Sequence, residues 1–231
     1  MDSRFIVDER NRLQEFRDVS HQPKNPVVQF IAKLISYVFH PLFIPVYLAC
    51  FLLMVHPYLF APNQKVLTII RFLIMYSFFP LITVLLSKAL GFLQSIYLKT
   101  QKDRIIPYIA CGVYYFWMSY VLRNQPGFAK EIVLLSMAIF IASSLGLLLN
   151  IYMKVSMHAI AMGIMLMFIT LLSFTQSVNY TPYLSMAILL TGVVCTARFI
   201  VSDHTAREIY IGLLTGIIAQ LLALWADRIL P

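Results

Sequence analysis

The chain has 231 residues, of which 60% are hydrophobic and only 12% charged. That balance excludes an ordinary soluble domain and identifies an integral membrane protein. The formal charge of +8 does not call for nucleic acid, because the bases gather in the N-terminal tail and short turns, where positive-inside topology and anionic headgroups account for them.

Residues 1–25 carry five basic and five acidic side chains and no apolar core, so they are not a secretory signal. A polar arm is expected there, either solvated or lying as an interfacial helix. Seven apolar stretches follow, at about 27–55, 66–87, 105–122, 132–153, 155–175, 181–201 and 209–226. Most reach the roughly 20 residues a helix needs to cross hydrocarbon, and none alternates strictly, which favours helices over barrel strands. The expected fold is all-α: one membrane domain over 26–231, built as a bundle of six or seven transmembrane helices. The number turns on the first stretch, where His40, Pro41 and Pro45 stand midway. It is either a full span or a re-entrant hairpin of two half-length legs.

Small residues four apart, Ala159 with Gly163 and Gly212 with Gly216, predict close backbone packing of two helices. Cys50, Cys111 and Cys195 all lie in apolar stretches without paired spacing and are read as buried packing residues. With seven spans, the side holding the tail carries 13 of the 18 Lys and Arg, which puts that side in the cytoplasm. A re-entrant first stretch reverses this. The expected location is the cell (inner) membrane.

Three turns hold most of the unusual polarity. The first runs Lys99, Thr100, Gln101, Lys102, Asp103, Arg104, Ile105, Ile106, Pro107, with the proline suited to opening the next helix. The second runs Lys154, Val155, Ser156, Met157, His158, and the third carries Arg198, His204 and Glu208. With a helix starting near Asp203, His204 and Glu208 share one face, about 5–6 Å apart at Cβ, so the carboxylate fixes the imidazole tautomer. Thr205 and Glu208 also fit a capping box, in which the glutamate serves the helix backbone instead. Pairs of crossings separate the three turns, so all face one side. Sidedness explains the bases but not two histidines beside them, and the combination predicts a convergent anion pocket. Arginine forks and helix N-termini suit phosphate, while a histidine held by a carboxylate suits attack on phosphorus.

These turns resemble the type 2 phosphatidic acid phosphatases, a superfamily that includes lipid phosphatases and vanadium haloperoxidases. Ala197, Arg198, His204 and Glu208 keep the spacing of its third motif, Ser-Arg, five residues, His, three residues, Asp. Val155, Ser156, Met157 and His158 correspond to Pro-Ser-Gly-His, and Lys99 or Lys102 with Arg104 and Pro107 loosely match its first motif. The resemblance covers about residues 95–225. It implies His204 as nucleophile, Glu208 as its orienting partner and His158 as general acid. Arg198, Arg104, Lys102 and Ser156 would bind phosphate. The implied activity is a metal-independent, cofactor-free phosphohydrolase acting on a phospholipid or polyprenyl phosphate in the bilayer, through a phosphohistidine. A zinc site built from His158, His204 and Asp203 or Glu208 is disfavoured, since the arginines would repel a cation. Alanine at 197, methionine at 157 and the short Lys-to-Arg spacing depart from the pattern, and they motivate the alternative of a non-catalytic lipid-phosphate binder or transporter.

Overall fold

The structure, a computed structural model, describes residues 4–7, 13–16, 25–93, 95–98, 100–202 and 204–229. In the N-terminal arm, strands β1 (Arg4–Val7) and β2 (Leu13–Phe16) pair antiparallel, with Arg4 opposite Phe16 and Val7 opposite Leu13. The described part of the arm is therefore a β-ladder, not an interfacial helix.

The membrane domain is all-α. Its helices are α1 (Pro26–Val38), α2 (Ile44–Val55), α3 (Pro62–Phe72), α4 (Phe79–Ala89), α5 (Gln101–Asn124), α6 (Lys130–Leu149), α7 (Met157–Thr175), α8 (Thr181–Val201) and α9 (Ala206–Ile229). α3 and α4 are one continuous rod, Pro62–Ala89, joined through a π-helical turn at Leu73–Phe78. Pro80 explains that turn: its ring has no N–H and clashes with the carbonyl four residues back, and widening the helix just before it removes the conflict. Six helices among the described residues are long and apolar enough to cross a membrane: the α3–α4 rod and α5 to α9.

The first apolar stretch divides. α1 and α2 have 13 and 12 residues, about 18–20 Å each, short of a hydrocarbon core of about 30 Å. The stretch is thus two half-length legs and not a full span, with α1 lying along α8 and α2 packed on α3, α6 and α7. Between them, Phe39–Phe43 leaves helical geometry, and the last carbonyls of α1 find other donors: Tyr47 Oη donates to Val38 O at 3.0 Å, as a helix end without water requires. α2 ends away from the three turns, where His56 lies 2.5 Å from the hydroxyl of Tyr180 at the start of α8.

α7 is the central helix, packed on α9, α8, α6 and α2. The small-residue expectation holds here. A Cβ added at Gly163 would stand 2.2 Å from Leu213 O, and one at Gly216 would stand 2.1 Å from Ile160 O, so α7 and α9 meet backbone to backbone. Both helices start at the same end of the bundle, and their contact brings the second and third turns together. Large apolar side chains such as Phe30, Met54, Val113, Leu189 and Trp225 point outward, as a lipid-facing surface demands. The three cysteines are only partly buried, because their helices present them near that surface.

Candidate functional site

Three helix boundaries differ from the sequence expectation, and each difference shapes the site. α5 starts at Gln101, ahead of the expected 105, because Thr100 caps it: its Oγ1 accepts the Asp103 amide at 3.1 Å. Pro107 thus sits inside the helix rather than opening it, and Arg104 falls on a rigid first turn. α6 ends at Leu149, short of the expected 153, because Asn150 leaves the helix to clamp Gln101. The Asn150 amide donates to Gln101 O at 2.9 Å, and the Gln101 amide donates back to Asn150 O at 3.0 Å. That reciprocal pair ties the first turn to the second.

α9 starts at Ala206, so His204 and Glu208 do not share a helical face; Asp203 lies outside the described residues. The capping box is present, with Thr205 N donating to Glu208 Oε2 at 3.0 Å and Glu208 N donating to Thr205 Oγ1 at 3.3 Å. The same Oε2 also accepts from His204 Nδ1 at 3.1 Å. Turning back to close its own helix carries the carboxylate to the residue before the cap, so the two readings of Glu208 are one arrangement. Both side chains are almost fully buried, 4% and 7% exposed.

Arg104 completes the contact between the turns. Its Nε donates to Leu98 O at 3.0 Å and one terminal nitrogen to Val155 O at 2.7 Å. Its other terminal nitrogen faces His204 Nε2 at 3.5 Å. Ser156 N donates to Glu208 O at 3.2 Å, so all three turns meet within one hydrogen-bonded cluster. The partners fix the imidazole: a carboxylate only accepts and a guanidinium only donates, so Nδ1 carries the proton and Nε2 presents a lone pair. Burial lowers the His204 pKa below its ordinary 6.5, with Arg104 and Arg198 adding to the effect and Glu208 opposing it. His204 is therefore neutral at physiological pH.

The other expected residues divide. Ser156 is fully buried, and its Oγ caps α7 by accepting the Ala159 amide at 3.4 Å. His158 sits in the first turn of α7, with Nε2 3.0 Å from Ser36 O, so that nitrogen bears its proton toward α1. Arg198 lies in the last turn of α8 and is half-buried, and its charge contributes to the lowered pKa of both His204 and His40. Lys102 is exposed at the start of α5 and, among the described residues, makes no hydrogen bond or ion pair with the cluster, because α5 turns Arg104 inward at that point. Lys99 lies outside the described residues. Among the described residues, no three His, Cys, Asp or Glu side chains come together to hold a metal ion.

Sequence reasoning missed His40. Its ring stands edge-on to His158 at 5.3 Å between centroids, its Nδ1 accepts the Leu42 amide at 3.3 Å, and burial with the Arg198 charge lowers its pKa to about 4. The signal was present as the His-Pro break in the first apolar stretch, but that break reads as a topological feature until α1 is seen against α8. Comparison with protein-family models, with curated proteins and with solved structures finds no match to this chain.

Proposed function

We propose that this chain is a membrane-embedded phosphohydrolase, resembling the type 2 phosphatidic acid phosphatases, that removes phosphate from a phospholipid or polyprenyl phosphate or pyrophosphate. The observation that carries this reading is the state of His204: proton held at Nδ1 by Glu208, lone pair at Nε2 facing the Arg104 guanidinium, where three turns of the bundle meet. A neutral, oriented imidazole beside a fixed cation suits attack on a phosphate anion. In the proposed reaction Nε2 bonds to phosphorus as the bond to the leaving oxygen breaks. Glu208 stabilises the positive phosphoimidazole, and Arg104 and Arg198 hold the phosphoryl oxygens. His158 is the general acid for the leaving oxygen, and water then cleaves the P–N bond to free His204. The cell (inner) membrane is the proposed location.

Purified protein presented with phosphatidic acid, phosphatidylglycerol phosphate and polyprenyl phosphates should release phosphate from at least one of them, and His204→Ala should abolish that release. Undiminished release by His204→Ala would overturn the mechanism. A second reading, a lipid-phosphate binder or transporter without turnover, is favoured by one observation: the proton-bearing nitrogen of His158 is already engaged by the Ser36 carbonyl, which weakens it as an acid. That reading expects headgroup binding that depends on Arg198 and Arg104 with no product. Trapping labelled phosphohistidine in the wild type would exclude it.

A further inference from the structure

A groove of about 460 Å³ runs between α1 and α8. Val28, Ala32 and Ile35 form one wall, and Gly192, Val193 and Ala197 form much of the other; among the described residues Thr196 is its only polar lining residue. Small residues on both helices create the recess: Ala32 and Ala197 keep the walls thin, and a Cβ added at Gly192 would meet nothing within 4 Å. The α8 wall extends from Leu189 to Ile200, about 16 Å of helix at 1.5 Å per residue. Val28 and Leu189 are 37% and 59% exposed, so the groove is open to the bilayer along its length.

Its walls run directly into the candidate site. Ile35 precedes Ser36, whose carbonyl holds His158, and Ala197 precedes Arg198, whose charge acts on His204 and His40. An apolar groove ending beside a half-buried cation fits a molecule with a hydrocarbon chain and an anionic head. We infer that the α1–α8 groove holds the hydrocarbon chain of the lipid whose phosphate enters the Arg198–His204 site. This rests on the phosphate reading above and adds to it the source of substrate selection: α1, outside the region that resembles the phosphatases, selects for the chain. A bound chain contributes remote binding energy that positions the head for reaction.

The test uses the full chain in nanodiscs and two measurements. In the first, phosphatidic acid carrying a diazirine in its acyl chain is photolysed and the crosslinks are mapped. They should concentrate on α1 and α8, and Gly192→Phe, whose Cβ has open space and whose ring would occupy the groove, should remove them. In the second, Gly192→Phe should lower kcat/KM for long-chain phosphatidic acid by about tenfold or more while leaving a water-soluble short-chain analogue within about twofold. Val28→Trp, which fills the groove from the other wall, should act alike. Crosslinks spread evenly over all spans, or long-chain turnover indifferent to both variants, would overturn the groove and leave the phosphohydrolase standing. Crosslinks in the groove without phosphate release by the wild type would keep the lipid site and remove the phosphohydrolase.

Discussion

Gly216→Ala asks whether the contact between α7 and α9 assembles the site. The added Cβ would lie 2.1 Å from Ile160 O and 2.7 Å from Ile164 N, backbone atoms that no rotamer change can move. Ordinary van der Waals contact begins at 3.4 Å, so the helices must part by about 1.3 Å at this level, which a close-packed interior resists. A forced separation this large, against backbone atoms, falls in the upper part of the overpacking range, about 2–3 kcal/mol, and the better helix propensity of alanine returns about 1 kcal/mol. The net loss of about 1–2 kcal/mol lowers Tm by about 2–8 °C for a chain of this size. The same movement stretches the Ser156 N to Glu208 O bond, already 3.2 Å, beyond hydrogen-bonding range, so the second turn separates from the third. Thermal unfolding in detergent, followed by circular dichroism, measures the first effect. Gly192→Ala, with open space around its Cβ, is the control. A Gly216→Ala protein as stable as the wild type would refute the backbone contact and with it this account of how the turns converge.

The two roles of Glu208 separate by substitution. Glu208→Gln keeps an acceptor for Thr205 N and His204 Nδ1, so we predict a stability within about 0.5 kcal/mol of wild type but reduced phosphate release, since the charge that supports the phosphoimidazole is gone. Glu208→Ala should cost about 1–2 kcal/mol by removing the cap; equal stability of the two variants in a denaturant titration would show that the capping box is inert. The lowered pKa values of His204 and His40 set the pH dependence. Their folded values lie below the unfolded value near 6.5, so their contribution is complete above pH 6.5 and is lost as pH falls toward the folded values. For His40 the loss spans pH 6.5 to about 4 and is at most about 3 kcal/mol. His40→Gln should flatten that part of the stability profile, and an unchanged profile would refute burial of a neutral His40. Phosphate release should keep its neutral-pH value down to pH 6.5 and fall only below it; an acid limb centred above 6.5 would contradict the neutral nucleophile.

Much of the site was readable from residue order alone. Parity placed the three turns at one end, since two crossings separate each from the next, and spacing placed a carboxylate within reach of His204. Both follow from local rules that chain order carries: the length of a membrane span and the reach of a helix start. Register was less legible. The expected start near Asp203 gave the correct partner for His204 by the wrong geometry, because the residue just before a capping box stands four positions from the box's glutamate, the same spacing as a shared helical face. Lys102 and Arg104 look equivalent as cations in a turn, and only the start of α5 at Gln101, fixed by the Thr100 cap, turns one inward and leaves the other exposed.

The sequence by itself determined the solvent of this protein, its class, the polar turns and the stripe of small residues on α7 and α9. Those depend on hydrophobicity and local spacing, which act within a few residues. The tertiary structure alone decided that Glu208 serves its helix and His204 with one oxygen, that Arg104 reaches Val155 and His204 together, and that α1 lies on α8 beside them. The Arg104 contacts join residues 51 and 100 apart in the chain, and the second and third turns meet because Gly163 and Gly216 let α7 and α9 touch backbone to backbone. His40 belongs with them: a break in an apolar stretch by sequence, and a third histidine, set against His158, once the helices are packed.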